Sequence, residues 1–241
     1  MSVLTVPDET RPVYRFTVDQ YHRMIDENIV TEEDHVEMID GELFKARVIV
    51  EGMSVPYRFS PEQIARLVEY GIVTENESED LPSGENPPDM SRKPPHDCTL
   101  DLVLDALRDV LPKGWRCRGQ SAVTLATGEP EPDLAVVRGS ARDFQNRHPA
   151  TGDIAFVVEV SYRSLRNDRT RKLRTYVRNG ISIYWIVNVE SRQIEVYTDP
   201  VVTESGEPFY RTRVDYIPGQ DVPVFVEGEE VGRVAVTQMM L

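Results

Sequence analysis

Cysteine is nearly absent. Cys98 and Cys117 are the only two in 241 residues, and neither has a CxxC or Cys/His spacing. This argues against a disulfide framework and a thiolate-bound zinc, and leaves two ordinary reduced thiols. Long apolar runs are also missing. None approaches the eighteen or so residues of a membrane span, and MSVLTVPDETRPVYRF at the N-terminus lacks the basic-then-apolar order of a signal peptide. The expectation is a soluble, cytoplasmic protein. Positive charge is in deficit, with 27 Lys and Arg against 41 Asp and Glu, a net charge of −14. That balance argues against coating nucleic acid by bulk electrostatics. No Ser/His/Asp or Cys/His arrangement suggests a covalent nucleophile, and no zinc finger or other separate DNA-reading motif is present.

What is there is unevenly distributed. Hydrophobic residues make up 40% of the chain, enough for one large core or one domain with an appendage. Residues 1–97 carry 9 positive against 21 negative charges, whereas 138–178 carry 10 against 4. The basic stretch reads either as a solvated helix face or as a phosphate-facing surface on an otherwise acidic molecule.

Near the N-terminus YRFTVDQYHRMIDENIVTEED, from Tyr14, repeats as YRFSPEQIARLVEYGIVTENE, from Tyr57, an offset of 43 residues. Each copy predicts a helix capped by Thr17 or Ser60, with Tyr21, Met24 and Ile25 inward in one and Ile64, Leu67 and Val68 in the other. Two copies are too few for a solenoid, so a local duplication is the simpler reading. After the first copy, HVEMIDGELFKARVIV predicts a hairpin turning at Asp40-Gly41. After the second, ESEDLPSGENPPDMSRKPP predicts an irregular, exposed segment.

DCTLDLVLDALRDVL then reads as a helix with Leu100, Val103, Leu104, Leu107 and Val110 inward, ending at Pro112 and Gly114. Strands follow in WRCRGQ, SAVTLAT, DLAVVRG and DIAFVVEVS. SLRNDRTRKLRTYVRNG is a helix stopping at Gly180, and SIYWIVN and QIEVYTD are strands joined by a polar turn. This order indicates an α/β sheet covered on at least one face. The chain divides into an N-terminal segment with the first copy (1–56), a core that includes the second copy (57–200), and a β-rich extension (201–241).

One residue is out of keeping with its strand. Glu159 interrupts the apolar AFVVEVS, where an unpaired carboxylate costs several kcal/mol to bury. Asp133 opens another strand, directly after Pro132. If the two strands are neighbours, both carboxylates converge, and a divalent cation there would offset their desolvation. Hard oxygen ligands favour Mg²⁺ or Mn²⁺ over zinc. Lys172, four residues after Asp168 on the next helix, could orient a water or stabilise charge on a phosphoryl oxygen. Arg166, Arg169, Arg171 and Arg174 surround it. Blander readings stand beside these. Asp133 could simply open a strand, Glu159 could pair with a buried Arg, and Asp168 with Lys172 could be a surface i, i+4 pair.

These residues carry a resemblance. PDLAVV, followed by VVEVSYRSLRNDRTRKLRTYVRNGISIYWIVN, resembles the Uma-type restriction-endonuclease family, a branch of the PD-(D/E)XK nuclease superfamily. The likeness runs from about Tyr57, and again from Tyr14, through Pro200. It implies a mixed sheet flanked by helices, here with a duplicated helical N-terminal segment, and a Mg²⁺- or Mn²⁺-dependent endonuclease acting on DNA. By that resemblance Asp133 and Glu159 match the metal-binding acids. Ser161 takes the place of the motif lysine, and Lys172 looks like its migrated substitute. His96, in PPHD, is placed near the site. The family's upstream acid matches Asp80 by position and Glu37 by chemistry. Three functions stay open: a nuclease, a catalytically silent nuclease-fold binding or interaction module, and a hydrolase of small phosphoesters. The strands near IPGQDVPVF could support a homodimer, by analogy with nucleases that cut both strands.

Overall fold

The protein is described here by a computed structural model that covers residues 13–89 and 93–240. The N-terminal duplication folds as two near-copies that hold one another. Helix α1 (Val18–Asp26) begins at a capping box, in which Thr17 accepts from the Gln20 N–H and the Gln20 side chain accepts from the Thr17 N–H. After a short three-stranded antiparallel sheet, β1 (Val36–Ile39), β2 (Glu42–Val50) and β3 (Met53–Pro56), the same device recurs. Ser60 and Gln63 cap α2 (Pro61–Glu69), with Pro61 in the first turn where its missing N–H costs nothing.

The two capping glutamines then reach across. Gln20 Nε2 donates to the Ile72 carbonyl at 2.7 Å and Gln63 Nε2 to the Ile29 carbonyl at 2.7 Å. Arg23 caps the carbonyls of Tyr70 and Gly71, and Arg66 those of Glu27 and Asn28. Every one of these contacts has its counterpart 43 residues away, so the copies are related by a local pseudo-dyad. Phe16, Met24, Ile29 and Val30 of one copy share a single apolar cluster with Phe59, Leu67, Ile72 and Val73 of the other. The second copy ends in the one-turn α3 (Glu75–Ser78), and residues 79–89 after it are irregular.

The larger layer is a six-stranded sheet in the order β4 to β9. It is preceded by α4 (Pro94–Val110) and begins with β4 (Trp115–Gly119), β5 (Leu134–Arg138) and β6 (Ile154–Ser161). A crossover follows, made of α5 (Leu165–Asn167), a π-turn (Asp168–Lys172) and α6 (Leu173–Arg178) in unbroken succession. It leads to β7 (Ile183–Asn188), β8 (Gln193–Val202) and the edge strand β9 (Pro208–Tyr216). In this sheet β6 and β7 are parallel, as a helical crossover requires, and the other neighbours are antiparallel. A separate hairpin of β10 (Asp221–Val226) and β11 (Glu229–Ala235) packs with α4 on one face.

Strand alternation sorts the core. Phe156, Val158 and Val160 of β6 join Leu100, Val103 and Leu107 of α4 in one cluster. Val157 points the other way and joins Tyr176 and Val177 of α6 with Ala135, Val137 and Ile186. Period two then puts Glu159 on the α6 side. The fold is the expected mixed sheet flanked by helices, with two corrections: Ile25, expected to face inward on α1, is exposed, and residues 121–127 depart from the expected strand. SAVTLAT forms no regular strand. Val123 and Leu125 are buried, but the N–H groups of Val123, Thr124 and Leu125 go to the carbonyls of Pro130, Pro149 and Gly128. The prolines have no N–H to return, so a ladder cannot propagate. Among the described residues no helix is long and apolar enough to cross a membrane.

The β1–β2 hairpin turns at Asp40 and Gly41, both at positive φ (50° and 81°), as a tight two-residue hairpin turn demands. It docks on the 119–133 loop: Met38 N–H donates to the Glu129 carbonyl at 3.3 Å and Gly41 N–H to the Thr127 carbonyl at 2.8 Å. Gly128 lies between them, and a Cβ there would collide with the Met38 carbonyl oxygen. Gly128→Ala should therefore cost about 1–3 kcal/mol, as overpacked sites do, when unfolding is followed in urea. Gly152→Ala, with open space around its Cβ, should leave stability within about 0.5 kcal/mol of the parent. Equal effects of the two would contradict the close approach.

Candidate active site

The strand register brings the two suspected carboxylates together. Leu134 pairs with Val158 across the antiparallel β5–β6 boundary, so Asp133, one residue earlier, falls beside Glu159. Asp133 N–H donates to Glu159 Oε2 at 3.4 Å, and Val160 N–H donates to Asp133 Oδ2 at 2.8 Å. Both acids thus lie where β5 begins and β6 ends. Glu159 is 2% exposed. Its partners are Lys172, with Nζ 3.0 Å from Oε1, and Tyr176, whose hydroxyl donates to Oε1 at 2.7 Å. The buried charge on β6 is matched by a lysine, neither by an arginine nor by a surface pair.

Lys172 and Asp168 both face inward, so they are not a solvated i, i+4 couple. Asp168 accepts from the hydroxyls of Ser161 and Ser164, each at 2.6 Å. Ser161, in the place of the motif lysine, therefore supports the helix acid. Arg169, the next residue of the π-turn, is held by Glu195 of β8, which is 0% exposed and also accepts from Tyr197, Asn188 and Gln193. Arg171 lies over the Phe44 ring, 4.1 Å from its centroid. Four of the five π-turn residues are thus fixed to strands, Asp168 and Lys172 to β6, Arg169 to β8 and Arg171 to β2.

Glu37 enters from the N-terminal hairpin. It is 2% exposed, accepts from the Glu131 N–H at 3.2 Å, and lies 3.9 Å from Lys172 Nζ. Asp80 is exposed, its N–H bonded to the Glu77 carbonyl. The first repeat copy, and not the second, brings its acid to the cluster. His96, in the first turn of α4, places Nε2 3.2 Å from Asp133 Oδ2 and Nδ1 3.2 Å from Asp97.

The electrostatics follow from one ammonium facing four carboxylates. Burial would lower the Lys172 pKa, but Glu159, Glu37, Asp168 and Asp133 outweigh it and drive the pKa up, so the lysine stays charged. Burial pushes Glu159 up to about 8; Lys172 opposes this, while Asp133 and Asp168 reinforce it. Glu37 and Asp168 are raised for the same first reason, burial. Asp133 goes the other way: burial would raise it, but His96 beside it, Lys172 and the Val160 N–H hold it below the usual carboxylate range. Burial and the neighbouring acids thus raise the affinity of Glu159 for a proton, while Lys172 at 3.0 Å favours the carboxylate that it pairs with.

A family model described as "Uma2: Putative restriction endonuclease" matches residues 76–224. The chain belongs to the Uma2 family. The matched span contains His96, Asp133, Glu159, Asp168 and Lys172 of this Uma2 chain, together with Asp80, but stops short of Glu37. Among solved structures, that of "a putative nuclease belonging to DUF820 from Anabaena variabilis ATCC 29413" aligns with a TM-score of 0.51 at 13% identity, over 93% of this chain and 97% of that one. At that identity the likeness shows the fold. No curated protein matches.

The suspected nucleic-acid residues separate. Arg169 is committed to Glu195, Arg171 packs on Phe44, and Arg174 lies 3.8 Å from Glu207, whereas Arg166 is exposed without an ion pair among the described residues. Sequence reading missed the parts played by Tyr176, Ser164 and Glu195. Tyr176 could have been found as the i+4 neighbour of Lys172, and Glu195 as the acid on the inward phase of QIEVYTD.

Burial would raise Glu195, but Arg169 first, then Tyr197, Asn188 and Gln193, hold it down at about 2. A depressed carboxylate contributes stability that is fully present above its unfolded pKa of 4.5 and lost as pH falls through about 2. Glu195→Gln should cost about 3 kcal/mol at neutral pH, the low end for a broken buried pair because Arg169 keeps partial access to water. The gap from the parent in urea unfolding should close as pH falls from 4.5 toward 2. A gap independent of pH would rule out the ionised carboxylate as its source.

Proposed function

We propose that the protein is a divalent-metal-dependent endonuclease that hydrolyses DNA phosphodiester bonds. The observation that supports this most is the meeting of Asp133, Glu159 and Lys172 at the shared end of β5 and β6, within a chain of the Uma2 family. The donor set suits a hard cation. Asp133 and Glu159 offer two carboxylates, the number that Mg²⁺ commonly takes from protein when water and substrate phosphate complete its shell. Among the described residues no group of three or more His, Cys, Asp or Glu is arranged to hold a metal ion, so a larger protein cage is not part of the reading. Bound there, Mg²⁺ or Mn²⁺ would supply a water of lowered pKa and a Lewis acid for the phosphoryl oxygen.

The chain's own groups divide the remaining tasks. Lys172, kept charged by its carboxylates, stabilises negative charge on the phosphoryl group or orients the attacking water. Tyr176 fixes the Glu159 carboxylate by its hydroxyl. Glu37 adds a second carboxylate beside Lys172 and limits the positive charge left when Glu159 turns toward a cation. His96 holds Asp133 ionised and oriented. One observation favours the silent module instead: Glu159 already has Lys172 and Tyr176 as partners.

Plasmid DNA incubated with the full chain should be cleaved with Mg²⁺ or Mn²⁺ and not with chelator. The Asp133→Ala, Glu159→Ala double variant should be inactive, and Lys172→Met slower by about 10²–10³-fold, as when one electrostatic stabiliser is removed. Cleavage surviving the double variant would refute the site, and no cleavage under any condition would favour the silent module. Burial pushes the Glu159 pKa up to about 8, so a metal bound there competes with its protonation. Mn²⁺ affinity measured by titration calorimetry should rise with pH, by up to about tenfold per unit for one displaced proton, and level off above about 8. Glu159→Gln should remove the rise; an unchanged slope in that variant would exclude Glu159 as the titrating ligand.

A further inference from the structure

Two exposed guanidinium groups that line one cavity near the site have no carboxylate partner among the described residues. Arg169, Arg174 and Arg178 are bonded to Glu195, Glu207 and Asp40, while Arg163 and Arg166 are exposed and make no ion pair among the described residues. Both line a cavity of about 780 Å³ with Tyr162, Arg169, Thr170 and the Glu51–Gly52 tip of the β2–β3 turn. The tip is seated firmly: Asn167 N–H donates to the Gly52 carbonyl at 2.9 Å, and a Cβ on Gly52 would come within 3.3 Å of Arg166 Cβ. The cavity wall is therefore held in place before any ligand arrives.

Its position follows from topology. Tyr162 and Arg163 come directly after Ser161, the last residue of β6, and Glu190, also on the rim, comes just after the end of β7. β7 is parallel to β6, and β5 is antiparallel to it. The ends of β6 and β7 and the start of β5, with Asp133, therefore share one end of the sheet. At a strand spacing of about 4.8 Å, the cavity lies on the order of 10 Å across from Asp133. Backbone charges recur about every 3.4 Å of axis along one DNA strand, so a strand held at Asp133 has further phosphates within reach. Glu51 and Glu190 on the rim oppose a lone anion, which favours a polymer already held at its other end.

We propose that this cavity seats backbone phosphates of the substrate strand a few nucleotides from the bond that is cut, with Arg163 and Arg166 as the contacting cations. The assignment rests on the nuclease reading above and adds the path of the strand, from Asp133 across the ends of β6 and β7.

The test uses the full chain in chelator, where binding is separated from cleavage. Fluorescence anisotropy of a short labelled DNA duplex, measured against salt, gives the slope of log affinity on log salt. Arg163→Ala with Arg166→Ala should weaken binding and reduce that slope by about 1.8, the loss of two phosphate contacts. A paired control, Arg108→Ala with Arg211→Ala, exposed and ion-paired elsewhere, should leave the slope unchanged. If the parent binds and cleaves while the Arg163/Arg166 variant keeps the parental slope, the cavity assignment is overturned and the nuclease reading stands. If the slope falls as expected but no metal supports cleavage, the cavity assignment stands and the catalytic reading fails. If the parent binds neither duplex nor single strand, both fail.

Discussion

The ion pair between Lys172 and Glu159, 3.0 Å long and almost out of water, is the constraint around which the central elements are arranged. Either ion buried alone would cost several kcal/mol, so the helix that carries one and the strand that carries the other must keep their register. The same lysine lies 3.9 Å from Glu37, which extends the constraint to a third element that is remote in sequence. An N-terminal hairpin, a central strand and a crossover helix are thus tied through one ammonium group. This explains why the β1–β2 turn needs so close a seat on the 119–133 loop.

The π-turn makes the arrangement possible. Inside an ordinary helix, successive residues advance by 100°; a wider turn changes which residues face inward, and such turns are frequent at functional sites. Here Asp168 and Lys172 both face the sheet, while Arg169 and Arg171 reach strands on either side. A segment that looks in composition like a basic, solvent-facing surface is largely consumed in anchoring itself. That local paradox also explains how an acidic protein can carry four basic residues within the six from Arg169 to Arg174 without a wholly free basic face.

Much of this was legible in the amino-acid order, because the rules that wrote it are local. The capping residues Thr17 and Ser60, the Asp40-Gly41 turn, the helical spacing from Leu100 to Val110 and the break at Gly180 each specify their own element. The odd carboxylate in AFVVEVS announced a buried partner. What could not be read was which partner, since the choice among an arginine, a cation and Lys172 depends on how far a helix rotates over a sheet. The duplicated acid was undecidable for the same reason: Glu37 and Asp80 differ in tertiary placement, not in local pattern. SAVTLAT alternates as a strand should, and only the prolines across from it, distant by several residues, deny it a ladder.

The reciprocal glutamine contacts of the N-terminal repeats have a consequence for how that module holds together. Two separate chains joined through so small a polar and apolar face would part on dilution. Carried on one polypeptide and joined by the β1–β3 sheet, the halves meet at an effective concentration set by their tether, on the order of millimolar for a short flexible link. What resembles a homodimer contact is thereby made permanent, and the strand bearing Glu37 inherits that permanence.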